Sequence, residues 1–495
     1  MRTLIAVFPL AAFAVGCGGS KNNNNTGADM ASAVTDGGAS TDMPFQLDQG
    51  TPADPGKGAL VLPALQLVAV TSDDYVVGFT GTKGGLSVAP LAGGTPTVVD
   101  AASVSVAISG KAVFSWNASV VGTLTAWSAA LGTPRVLSTT STTGNAGTTT
   151  DGVYVAYPDN AANGLTDVVV AKLDGTGTKT TILTGAAGKN SACPVSISGA
   201  GTNFFITYCT SETSPDMGGT VVATLAYASA TAPALATTIS AGVTGFSTDE
   251  AGDKVWFVDA NDTLFYDTVG GVPMQVDTGV SRVYLSTNGG KLTWTTKAGA
   301  LKQASTSAIA TVTTLSATGA VELDGISPDE KWGMVSDVAP DATTANSNCL
   351  LASLTAAGAP TSLVSDKSSA FYGPSFTDDS ATALFYDADA NSVATLHSRA
   401  IPTGTAKTIA TGVWNHNTAA GTKLVYMDGY VAGSTATNGK ANLSSYDLST
   451  GTATLVVKGA QAGNSIALSK DKTKVVYDFQ QGTAAQHGVY AATIQ

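Results

Sequence analysis

The chain has 495 residues, only 12% of them charged, and 36 acidic against 24 basic side chains leave a net charge of -12 and a pI near 4.6. That balance argues against a nucleic-acid partner, because neutralising phosphates needs clustered Lys and Arg, and against holding to anionic lipid by charge alone. Gly, Ala, Thr, Ser and Val dominate, a profile of exported β proteins and not of helical ones.

At the N-terminus Arg2 precedes twelve uncharged residues, Leu4 to Val15, the layout of an export signal. Twelve residues fall short of the roughly 20 that span a bilayer as a helix. Ala14-Val15-Gly16-Cys17 resembles the bacterial lipobox, with Ala14 where Leu is usual. The resemblance implies a signal peptide over 1–16 and lipidation of Cys17. Each buried CH₂ of a lipid chain contributes about 0.8 kcal/mol, and stable attachment takes more than one chain. Gly18 after the cysteine resembles lipoproteins sorted to the outer membrane, so the expected location is the bacterial cell envelope. Residues 17–58 are rich in Gly, Asn, Asp, Ser, Thr and Pro and poor in large apolar side chains, which reads as a disordered tether. About forty such residues have an r.m.s. reach of roughly 35 Å.

From residue 59 to 495 a unit recurs: an alternating strand, a polar turn, a strand with an aromatic core, a loop and two more short strands. The second strand aligns best. It begins at Tyr75, Lys111, Gly152, Asn203, Lys254, Lys291, Lys331, Thr382, Lys423 and Lys474, ten copies about 36 to 50 residues apart. Such spacing predicts the four-stranded blades of an all-β propeller, as one large ring or as two fused smaller ones. The last copy stops after three strands. The apolar segment Ala59 to Leu65 is expected to supply the fourth, closing the ring by pairing the two ends of the chain.

Ile326 to Asp337, ISPDEKWGMVSD, resembles the Ser-Pro-Asp-Gly turn and following strand of TolB-like, WD-related propeller repeats, with weaker copies at Ser247 and Ala467. The resemblance implies the fold. It does not imply TolB's partners, because TolB proteins carry an α/β domain ahead of the propeller that has no room here.

Cys193 and Cys209 lie eight residues either side of Gly201, so a hairpin turning at 199–202 would set them opposite each other and within reach of a disulfide. Cys349 is left as a small buried hydrophobe. Six second strands end on aspartate, at Asp159, Asp259, Asp337, Asp387, Asp428 and Asp478. A ring of carboxylates would suit a cation or a sugar, but a repeated Asp at a strand end reads first as structural, through local turns. Asp387, Asp389 and Asn391 have the alternation of a calcium loop, without its glycine and with Ser398 in place of the closing acid. Ser247 and Asp249, leading to Gly252 and Trp256, approach a sialidase Asp-box with its glycine and tryptophan displaced. His397, His416 and His487 have no partner at metal-ligand spacing. No G-x-S-x-G elbow, P-loop or dinucleotide fingerprint occurs.

The sequence therefore reads as a lipid-anchored envelope protein with no cofactor and no enzymatic role, presenting a propeller as a binding or scaffolding surface for an envelope protein or a glycan. The alternative is a glycan-acting enzyme with carboxylates gathered in the central funnel. The longest loops, Thr210 to Gly219, Val338 to Asn348 and Gly429 to Lys440, are expected to carry the partner site.

Overall fold

The computed structural model describes residues 56, 58–63, 66–80, 84–142, 146–162, 165–188, 196–199, 203–208, 223–229, 232–249, 253–286, 289–337, 347–367, 374–388, 394–431, 439–461, 466–481 and 484–495. They form strands throughout, with one 3-10 turn at Ala484–Gln486 and no α-helix among the described residues. The strands make eight four-stranded antiparallel sheets and one of seven. In the seven-stranded sheet the 17-residue strand Ala232–Thr248 is the last strand of one blade and, after Val243, the first strand of the next. With that strand shared there are ten blades, numbered here from the one that begins at Gln66.

Blade 1 (66–100) is built from Gln66–Val70, Tyr75–Thr80, Gly85–Pro90 and Thr97–Asp100, paired in that order. Blades 2 (105–142), 3 (147–188), 6 (280–316), 7 (322–367), 8 (375–411) and 9 (413–461) repeat the order, and blades 4 and 5 lie within 196–277. Blade 10 takes Ile466–Leu468, Lys474–Phe479 and Gly488–Thr493 from the C-terminus and its outermost strand, Ala59–Leu62, from near the N-terminus. Leu60 lies opposite Tyr490 and Leu62 opposite Val489. The expected closure is thus present, and it removes an open sheet edge.

Packing shows that the ten blades form one ring. Each second strand is buried on both faces, because one face meets the preceding blade and the other the following one. In blade 1, Val76 packs with Leu62, Leu67, Val476 and Val489 across the seam to blade 10, while its neighbour Val77 packs with Val113 and Trp127 of blade 2. The same division recurs around the ring, for example Trp256 and Trp294 between blades 5 and 6, Met334 and Phe376 between blades 7 and 8, and Met427 and Tyr477 between blades 9 and 10.

The turn between first and second strands repeats a hydrogen-bonded device. Thr71, Thr149, Ser327, Thr377 and Ser469 each donate a hydroxyl to the aspartate two residues on, at 2.6–2.7 Å. Each also accepts the N–H of the residue that opens the second strand, at 2.9–3.1 Å. Neighbouring turns are tied together: Lys470 N donates to Asp74 of blade 1 (2.6 Å) and Asp329 N to Ser380 (2.9 Å), while Lys472 Nζ of blade 10 reaches past blade 9 to Asp378 of blade 8 (2.5 Å).

Candidate functional site

The first strand of each blade is the innermost one, and five of these strands carry an extra residue that breaks the ladder. Those residues are Val68, Thr244, Ser281, Asp324 and Trp414. A bulge re-aims side chains and leaves them outside the regular alternation, and three of the five lie in blades 6, 7 and 9.

Between blades 6 and 7, Glu322 accepts hydrogen bonds from Ser281 Oγ (2.5 Å) and from Arg282 Nε (2.7 Å), and its own side chain is almost wholly buried. Asp324, two residues along, receives a hydrogen bond from Ser336. Protein crowds it while part of its surface still meets solvent. Burial first, and then the negative charge of Glu322, push its carboxyl up to about 8, against the pull of Arg282. At neutral pH Asp324 therefore holds its proton, a carboxylic acid beside the paired Glu322 side chain.

Between blades 8 and 9, the buried imidazole of His416 lies between two hydroxyls, Ser375 Oγ at 2.7 Å from Nε2 and Tyr386 Oη at 2.5 Å from Nδ1. Tyr386 meets the ring edge-on, with centroids 5.2 Å apart. Burial pushes the His416 imidazole down to about 4, so it is neutral at ordinary pH. On the innermost strand of blade 9, Trp414 stacks on Tyr430 of the second strand, with ring centroids 4.3 Å apart.

The six strand-end aspartates do not form one site. Asp259 makes the local turn expected of it, accepting from the N–H groups of Asn261 and Thr263. Asp337 and Asp428 accept from Asn348 and Asn442 on their own third strands, and Asp387 lies 3.8 Å from His397. Asp159 bridges to blade 2 through Ser138 and Thr140. Asp478 reaches blade 1, accepting from Leu67 N at 2.6 Å. The structural role holds, but only Asp259 fulfils it by a local turn.

Cys17, Cys193 and Cys209 lie outside the described residues, as do Asp389 and Asn391 of the calcium candidate. Between Cys193 and Cys209, the described strands pair Ile197 with Ile206 and Ser198 with Phe205. Cys349 is wholly buried against Phe385, as expected, but it is disulfide-bonded and not a thiol. Since the chain has four cysteines, that bond draws on Cys17, Cys193 or Cys209. Among the described residues no group of three His, Cys, Asp or Glu side chains is placed to hold a metal.

The sequence motifs led to none of the inner-strand groups. The bulges and the approach of separate blades have no local signature, although the unusual polarity of VSRVY and VWNHN beside apolar first strands such as LVAV was a usable signal.

No family model matches this chain, and no curated protein matches it. Among solved structures it is similar to a eukaryotic initiation factor, at 14% identity over 72% of this chain and 91% of that one, with a TM-score of 0.47. It is similar to TolB from Acinetobacter baumannii, at 14% identity over 61% and 80% of the two chains, with a TM-score of 0.28. It is also similar to the tricorn protease, at 9% identity over 87% of this chain and 52% of that one, with a TM-score of 0.32. The last is named as a protease, which stands against the expectation that the chain has no enzymatic role. It assigns no activity to this chain. What sheet order and packing establish is the fold, an all-β, ten-bladed propeller.

Proposed function

We propose that this protein is an envelope lipoprotein, held in the membrane by lipid on Cys17 after removal of residues 1–16, whose tether over 17–58 presents the propeller as a binding surface for an envelope protein or glycan. One observation carries the binding role. In blades 4, 7, 8 and 9 the second strand ends at Tyr208, Ser336, Ala388 and Val431 and the third begins at Ala223, Ser347, Ala394 and Lys440, and in each blade these ends share one face of the ring. The chain enters blade 10 at Ala59, the start of an outermost strand antiparallel to the third, and therefore from the opposite face. Long connections that start from one face of a rigid scaffold, opposite the face where the chain enters, suit recognition.

The test is cross-linking in intact cells, followed by purification and mass spectrometry, with Cys17→Ala as the unanchored control. Recovery of one envelope component with the wild type alone is expected. Recovery of the same background from both proteins would contradict the reading. A second reading, action on a glycan, is favoured by the protonated Asp324 beside Glu322. It expects hydrolysis of an envelope polysaccharide that Asp324→Asn abolishes, and equal turnover by that variant would remove it.

A further inference from the structure

The Ser375, His416 and Tyr386 contacts join three strands of two blades, and their arrangement exceeds what packing requires. A serine hydroxyl within 2.7 Å of an imidazole nitrogen, with the far nitrogen of that imidazole held by a third group at 2.5 Å, is the geometry of an activated nucleophile: base in reach of the hydroxyl, and base oriented. Ser375 is the member of the trio that keeps solvent contact, while His416 and Tyr386 are buried. On the adjoining inner strand of blade 7, Gly325 faces the Pro374 carbonyl, 3.5 Å from where a Cβ would stand. The wall beside Ser375 is therefore left without a side chain at that point.

We propose that Ser375 is a nucleophile activated by His416, with Tyr386 as its positioning residue, and that it accepts acyl groups from small carboxylic esters. This goes beyond the binding role and does not depend on it. With the imidazole proton on Nδ1 and donated to Tyr386 Oη, Nε2 is free to accept the Ser375 proton as Oγ bonds to the ester carbonyl carbon. The bond to the alkoxy group then breaks, and Nε2 returns the proton to the departing alcohol, leaving an acyl-serine. A water molecule follows the same path, giving its proton through Nε2 and releasing the carboxylic acid with Ser375 restored. Burial keeps the imidazole neutral down to about 4, so the proton-accepting form is present across the neutral and mildly acidic range, while the same burial makes it a weak base and the expected turnover slow.

The test uses the full chain with two probes, an alkyl fluorophosphonate and p-nitrophenyl acetate. The fluorophosphonate is expected to lose fluoride and leave a phosphonyl adduct that tandem mass spectrometry locates on Ser375. Labelling should vanish in Ser375→Ala and fall about 100-fold or more in His416→Asn. Tyr386→Phe should slow labelling about 10-fold or more by releasing the tautomer, and the wild-type rate should hold from pH 8 to pH 5. No adduct on Ser375 of wild-type protein that melts natively would overturn the proposal without any variant. So would an adduct formed equally fast in His416→Asn, or a rate that falls through pH 6.5 as an ordinary histidine would dictate.

Discussion

Replacing Asp478 by Asn should make the closure of the ring more stable at pH 8 and leave it unimproved at pH 5. Asp478 is 1% exposed. One oxygen accepts from Leu67 N across the seam between blades 10 and 1, and the other has no hydrogen-bond partner among the described residues. Burial pushes the carboxyl up to about 7, with the Leu67 N–H pulling the other way, whereas in the unfolded chain it titrates near ~3.9. Between those values the folded protein binds the extra proton. Its contribution to stability is therefore fully present below about 4 and is lost as pH rises through about 7. The gap corresponds to about 4 kcal/mol. Asn keeps the acceptor for Leu67 and carries no charge, but it puts a buried amino group where the second oxygen lacks a partner, at a cost of about 1–3 kcal/mol. The variant should thus gain about 1–3 kcal/mol at pH 8 and gain nothing, or lose slightly, at pH 5. Hydrogen exchange of the peptides covering 59–70 and 474–479, corrected for intrinsic rates, reads the opening of this seam directly. A difference between variant and wild type that is the same at both pH values would refute the reasoning.

Three further outcomes are expected. Leu62→Ala removes a fully buried side chain from the cluster it shares with Leu67, Val76, Val476 and Val489; a loss of about 2–4 kcal/mol should appear as faster exchange in blades 10 and 1 with blades 4 to 6 unchanged, and uniform exchange would count against a seam there. Arg282→Ala strips the buried Glu322 of its guanidinium and should cost about 3 kcal/mol in chemical unfolding, more than Glu322→Gln in the same assay. Ser469→Ala removes the hydroxyl that donates to Asp471 and accepts from Lys474 N, and should cost about 1 kcal/mol. A silent Ser469→Ala would mean that the repeated turn does not need its hydroxyl.

The second strands were legible because of where they sit. Sandwiched between two blades, runs such as KVWFVD and KLVYMD bury both faces and read as nearly continuous apolar segments. The missing fourth strand of the last blade and its replacement by Ala59–Leu62 were readable for the same reason, since an apolar segment without a partner in its own unit needs one elsewhere. The strand Ala232–Thr248 was not: it runs from one blade into the next without a break, and its composition of Ala, Thr and Gly carries no strong period. Turn chemistry was only half seen, because Thr71, Thr149 and Thr377 perform the duty for which Ser-Pro-Asp was the visible sign. The strand-end aspartates looked local in sequence. Asp159 and Asp478 instead tie one blade to another, a distance in sequence of 21 and 411 residues that no local pattern encodes. The inner-strand groups were hidden for that reason too: Ser375, Tyr386 and His416 meet only when blades 8 and 9 pack.

The central claim, a propeller held to the envelope by lipid on Cys17, is tested most directly by mass spectrometry of the mature protein under non-reducing conditions. The account expects an N-terminal peptide that begins at Cys17 and carries the mass of a diacylglyceryl group, with Cys349 bridged to Cys193 or Cys209. A bridge between Cys349 and Cys17, or an N-terminus cut elsewhere with Cys17 unmodified, would contradict it.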